Sequence, residues 1–144
     1  MPRRLNEQAV AKQAVAVSAG GAPQAIVGTK VDGTGFSRAR FIFQMSSAAT
    51  TASISTGLGV WAASTSGATF ARVTNGSAGA VTSGQLSGGA NNIIIIDVPI
   101  ASASPWLQLS GDTTSTGIAH SAVVELYSGV NRPPTQAELQ VVVA

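Results

Sequence analysis

The chain lacks cysteine altogether, has one histidine, and carries little charge: of 144 residues, 10% are Asp, Glu, Lys or Arg and 5% are aromatic. The missing cysteines exclude disulfides and thiolate metal sites. His120, two lysines (Lys12 and Lys30) and six carboxylates scattered from Glu7 to Glu138 leave few groups that could converge on one point. Perturbed pKa values and metal coordination both need such convergence, so the chain is expected to be non-enzymatic and to hold no cofactor or metal. A long hydrophobic run is also missing, and without roughly 20 apolar residues in a row no membrane-spanning helix is expected. Met1 to Arg4 is basic, but Leu5-Asn6-Glu7-Gln8 is polar and the stretch Ala9 to Val17 is interrupted by Lys12 and Gln13. No export signal is read there, and use without secretion is expected.

A stripe of basic residues is absent as well. The formal charge is +2, but apart from Arg3 and Arg4 the arginines stand well spread, at Arg38, Arg40, Arg72 and Arg132. Phosphate recognition gains a counterion-release contribution from each basic residue along a face, so nucleic acid is not expected as a partner. With charge far below the usual ~25%, the surface must be neutral and polar. Such a surface suits permanent contacts and implies that partners cover part of it in the working state.

What the chain does have is Gly, Ala, Ser, Thr and Val arranged as short strands and turns. Ala14 to Val17 and Gln24 to Val31 read as strands closed by Ser18-Ala19-Gly20-Gly21 and Asp32-Gly33-Thr34-Gly35. In Arg38 to Met45, Phe41 and Phe43 alternate with Arg40, Ile42 and Gln44, a period-two pattern that buries the phenylalanines and leaves the arginines near solvent or a neighbour. Further strands are expected over Thr50 to Trp61, Thr69 to Val73, Ala80 to Leu86, Asn92 to Ile100, Trp106 to Ser110 and Gly117 to Tyr127, with no room for a helix of any length. Four consecutive isoleucines, Ile93 to Ile96, call for a central strand covered on both faces, or on one face by a partner chain. Pro133-Pro134 stops the main sheet, and Leu139, Val141 and Val143 alternate behind it in an extended tail. The fold class is therefore all-β, a β-sandwich or jelly-roll-like domain over 13–132, with an amino-terminal arm at 1–12 and a carboxyl-terminal tail at 133–144.

Candidate chemistry is sparse. A Ser/His/Asp triad could draw on His120 with Asp32, Asp97 or Asp112, but no Gly-x-Ser-x-Gly elbow exists, and His120 shares the alternating face of Ile118, Ala122, Val124 and Leu126, which marks a core or interface histidine. Gly33-x-Gly35 is a turn without the third glycine of a dinucleotide fingerprint. Trp61 and Trp106 stand at strand ends, where an exposed indole can stack on a sugar; the structural alternative is that each caps an open end of the sandwich.

The run Val31-Asp32-Gly33-Thr34-Gly35-Phe36-Ser37-Arg38-Ala39-Arg40-Phe41-Ile42-Phe43, the Ser/Thr-rich strand after it, Ala62 to Phe70, the strand ending Ile96-Asp97-Val98, and Tyr127 before Arg132-Pro133-Pro134-Thr135-Gln136 resemble small structural proteins of tailed bacteriophages, most closely capsid decoration (cement) proteins. The resemblance implies a β-sandwich or jelly-roll-like domain, often a homotrimer, on the outer capsid surface, assembled in the host cytoplasm, with the major capsid protein and sister copies as partners and without cofactor or catalytic residues. The amino-terminal lead-in, Ala9 to Ala22, departs from that pattern. On this reading the subunit or shell contacts are Arg3, Arg4 and Lys12, set against an acidic shell surface, Ile94 and Ile96 in the isoleucine strand, and Leu139, Val141 and Val143 in the tail. The tail is expected to add a strand to a neighbour, or else to close an edge of its own sheet. A glycan-binding, neck, tail or head-fibre module using Trp61 or Trp106 is the alternative.

Overall fold

The structure, a computed structural model, describes residues 9–18, 25–46, 58–73, 92–112, 119–128 and 138–143. Ten strands and no helix are found among them: β1 (Ala9–Ser18), β2 (Ala25–Val27), β3 (Val31–Asp32), β4 (Arg38–Ser46), β5 (Gly59–Ala63), β6 (Ala71–Arg72), β7 (Asn92–Pro99), β8 (Trp106–Asp112), β9 (Ala119–Tyr127) and β10 (Glu138–Val143). The first sheet has the order β1-β9-β4-β7-β10, every pair antiparallel. The second has the order β2-β8-β5-β6, with β3 pairing β8 on the same edge as β2. The two sheets pack face to face as a β-sandwich, as the alternating strands require. The strand expected over Ala80 to Leu86, the part of the strand expected over Thr50 to Trp61 that precedes Leu58, and the Pro133-Pro134 step lie outside the described residues.

The core follows from the register of β4. Ala39 stands opposite Val98 and Leu126, Phe41 opposite Ile96 and Val124, and Phe43 opposite Ile94 and Ala122. All nine are buried, and they meet Ile26, Val31, Leu58, Val60, Leu107 and Leu109 of the second sheet. Each fully buried Leu, Ile or Phe in such a layer contributes about 1.5–3 kcal/mol, and Phe41 and Phe43 at its centre are the main anchors.

One glycine joins the sheets. Gly28, just past β2, donates its amide to the Leu109 carbonyl at 2.8 Å, and Thr29 donates to the Ala14 carbonyl of β1 at 2.7 Å, where the β1 register slips by a bulge. A Cβ at position 28 would lie 2.4 Å from the Leu109 oxygen and 2.9 Å from the Ala14 oxygen, both backbone atoms that cannot step aside. Only glycine lets the edge of the second sheet pass this close to the first. It also explains why the strand expected from Gln24 to Val31 is split into β2 and β3.

Two expectations about the ends change. β1 begins at Ala9, so Lys12 belongs to a paired strand, opposite Val124, rather than to a free arm. The segment Glu138 to Val143 is β10, which pairs β7 of its own sheet from Glu138↔Asp97 to Val143↔Asn92. It takes the second of the two expected outcomes, because β7 has β4 on one side only and its other row of N–H and C=O groups needs a partner.

Candidate functional site

The first sheet turns its second face away from the core, and its rows can be read from the register. One row runs Glu125, Arg40, Asp97; the next runs Gln13, Val123, Ile42, Ile95; a third runs Ser121, Gln44, Ile93. Val123 is 45% exposed, and Ile42, Ile93 and Ile95 are partly exposed. An aliphatic stripe therefore lies open between a charged row and a polar one.

The charged row is a closed cluster. Asp97, 2% exposed, takes the Nε of Arg38 at 2.8 Å on one oxygen. On its other oxygen it accepts from Arg40, Nη2 at 3.2 Å and Nε at 3.3 Å, and from the Tyr127 hydroxyl. Arg38 Nε also lies 3.3 Å from the Tyr127 oxygen, and the Arg40 guanidinium sits 5.3 Å from the Tyr127 ring centre and 3.8 Å from Glu125. Of the two expected surroundings, solvent or a neighbour, Arg38 at 1% exposure takes the second, against Asp97 and Tyr127. A buried guanidinium is tolerated here because a carboxylate meets it within hydrogen-bond range.

Burial pushes the Tyr127 phenol above its ordinary value and the hydrogen bond to Asp97 adds to the rise, with Arg38 and Arg40 pulling the other way. For Arg38, burial works against the charged form but is outweighed by the hydrogen bonds to Asp97 and Tyr127, and its pKa is raised. The phenol is thereby held protonated and is a poor nucleophile, and both Asp97 oxygens are occupied by donors. Chemically the cluster is a clasp that locks β4, β7 and β9 in register. The sequence did carry a signal for it, a lone aspartate between Ile96 and Val98 in an otherwise apolar run, which demands an opposite charge across the sheet.

The second sheet's outer face is different in kind. Trp61 stands between Gln108 on β8 and Arg72 on β6, and Trp106 stands between Asp32 and Ala63. Both indoles are partly exposed, and they share one face of adjacent strands, so neither plugs an end of the sandwich. The Arg72 guanidinium lies 5.4 Å from the Trp61 ring centre. The Gln108 amide donates to the Gly28 carbonyl at 2.8 Å.

A third feature is an end cleft of about 300 Å³ between the β3–β4 turn and the β7–β8 loop, lined by Phe36, Ile100, Pro105 and the turn residues. Gly35 there has φ +87°, and Asp32 accepts from the amide and hydroxyl of Thr34, an Asx turn that holds its carboxyl below the ordinary value. Among the described residues no titratable side chain lines this cleft.

The sequence-derived candidates fall in separate places. Ile94 and Ile96, at 0% and 1% exposure, lie in the chain's own core, and the outward members of the isoleucine run are Ile93 and Ile95. Strand alternation is the reason: half of a central strand belongs to its own sandwich. Leu139 and Val141 stand opposite Ile96 and Ile94, and Val143 opposite Asn92. Lys12 reaches toward the Asp32 carbonyl at 3.5 Å; Arg3 and Arg4 lie outside the described residues. His120 is buried, its ring stacked on Phe43 at 5.7 Å, on the opposite face of the sheet from Asp97, so these two triad candidates share no site. Among the described residues no three His, Asp or Glu side chains gather as metal ligands.

Fold and surface together define the class: an all-β, two-sheet antiparallel sandwich with one aliphatic and one aromatic outer face. Comparison with protein-family models, with curated proteins and with solved structures finds no match in any of the three.

Proposed function

We propose that the protein is a non-enzymatic structural component of a phage virion, a decoration protein that seats on the outer capsid surface, as a homotrimer, and bridges neighbouring capsid subunits. The observation that carries this reading is the outer face of the first sheet. Val123, Ile42 and Ile95 form an open aliphatic row, and in the adjoining cluster Arg38 and Arg40 are balanced by Asp97 and Glu125, with Arg38 and Asp97 buried. Side chains on a paired sheet face lose little further backbone entropy on docking, which suits a permanent contact. The resemblance of the Val31–Phe43 segment and its successors to decoration proteins points the same way.

Mass spectrometry and cryo-microscopy of virions produced with this chain test the reading. The expected result is density for the sandwich at local symmetry axes of the shell, with the Val123 face against capsid protein or a sister copy. Virions that lack the protein overturn it, and density confined to neck, tail or fibre moves it to another virion position.

A further inference from the structure

The aromatic face of the second sheet is independent of the virion reading. Trp61 and Trp106 occupy diagonal positions on β5 and β8, since Trp61 faces Gln108 and Ala63 faces Trp106. Diagonal neighbours on an antiparallel pair have Cβ atoms about 7–8 Å apart, within the span of large rings. Position 59, two residues before Trp61 on the same face, is glycine. A Cβ there would come within 3.3 Å of Trp61 Cζ3 and 3.1 Å of Arg72 Nη2, so the missing side chain lets both the indole and the guanidinium settle onto the backbone. Arg72 Nη2 is buried without a hydrogen-bond partner, whereas buried donors are nearly always paired. Gln108, directly opposite Trp61 on β8, donates its Nε2 to the Gly28 carbonyl at 2.8 Å, which fixes a polar side chain on this face. Ser110, opposite Gly59, adds a hydroxyl to the same face.

We propose that this face binds carbohydrate, with Trp61 and Trp106 stacking on the C–H faces of pyranose rings and Arg72, Gln108 and Ser110 bonding their hydroxyls. The pattern fits a sugar better than a protein surface. Polar donors and acceptors flank the Trp61 ring on both neighbouring strands, matching the hydroxyl rim and apolar face of a pyranose, while the aliphatic row suited to a protein contact lies on the other sheet. A small swing of the long Arg72 side chain toward a ring oxygen or hydroxyl would pair its orphan donor.

The test uses the purified full chain with no shell present, so that its outcome stays separate from the virion reading. An array of neutral and acidic oligosaccharides is followed by titration of each hit, read by tryptophan fluorescence and calorimetry. The expected result is binding to at least one glycan class, weakened about tenfold or more by Trp61→Ala and by Trp106→Ala, less so by Gln108→Ala and Arg72→Gln, and largely kept by Trp61→Phe. Trp61 also packs against Arg72, so Trp106→Ala and Gln108→Ala carry the test should Trp61→Ala unfold. Silence across the array overturns the proposal, as does binding that survives both Trp106→Ala and Gln108→Ala unchanged. Self-association of the chain that Trp106→Ala abolishes also overturns it, and makes the face a contact between copies.

Discussion

At the residue scale Asp97 carries the heaviest consequence. It is one carboxylate among two guanidiniums and a phenol, and replacing it leaves Arg38 charged, buried and without its counter-ion. Loss of one member of a buried pair costs about 3–5 kcal/mol, so Asp97→Asn is expected to lower the midpoint of chemical denaturation strongly. The exposed Arg40–Glu125 approach contributes about 0–1 kcal/mol, so Glu125→Gln is expected to leave that midpoint almost unchanged. Tyr127 supplies a pH dependence with a definite sign. Its folded pKa lies above the ordinary 10.0, so the folded protein holds the phenolic proton more tightly than the unfolded chain does. That contribution is complete below the unfolded value and is lost as pH rises through the folded one. Because this is the only tyrosine, absorbance of the phenolate near 295 nm reads it alone. The expected outcome is a midpoint above that of the unfolded chain, and a fall in stability above about pH 10 that is steeper in the native protein than in Tyr127→Phe.

At the element scale the decisive piece is β10. Its six residues pair β7 along the length that holds Ile93 to Ile96, and without it a long central strand becomes an open, β-branched edge. Deleting Glu138 to Ala144 is therefore expected to lower the melting temperature of the isolated chain and to raise light scattering on heating. An unchanged melting temperature with loss of an oligomer would instead mean that the segment belongs to a neighbour. β7 also shows why a continuous apolar run need not mean two buried faces. Ile94 and Ile96 enter the core, while Ile93 and Ile95 join an outward surface.

For the whole molecule, the two outer faces differ in chemistry: one is aliphatic beside a salt-bridge clasp, the other aromatic with hydrogen-bonding groups. Val123→Glu is placed on the first, opposite Ile42, and at 45% exposure the new charge stays hydrated. It is expected to shift stability by no more than about 0.5 kcal/mol while abolishing any homotrimer and shell attachment. Thermal denaturation and multi-angle light scattering, run side by side, check both halves of that statement. Equal oligomerisation of wild type and variant would remove this face from the assembly.

How much of this was legible beforehand depends on the range of the interaction. The alternation in Arg38 to Met45 and in Ala119 to Tyr127 determined the strands and their buried faces, because the side-chain period of a strand is two whatever lies next to it. The Asp32-Gly33-Thr34-Gly35 turn was equally local, since an Asx bond and a positive φ need only their own neighbours. The absence of cysteine, likewise legible from composition alone, excluded disulfides and thiolate metal sites. Tertiary structure decided what depends on pairing at a distance. Arg38 and Asp97 are 59 residues apart, and no local rule joins them; only the β4–β7 register makes one buried cluster of them. The same holds for Trp61 and Trp106, brought onto one face by β5–β8 pairing, and for β10, whose pattern fits any free edge and whose partner was settled by the unpaired side of β7. Local patterning sets which face of a strand is apolar; the order of strands in the sheet sets what that face meets.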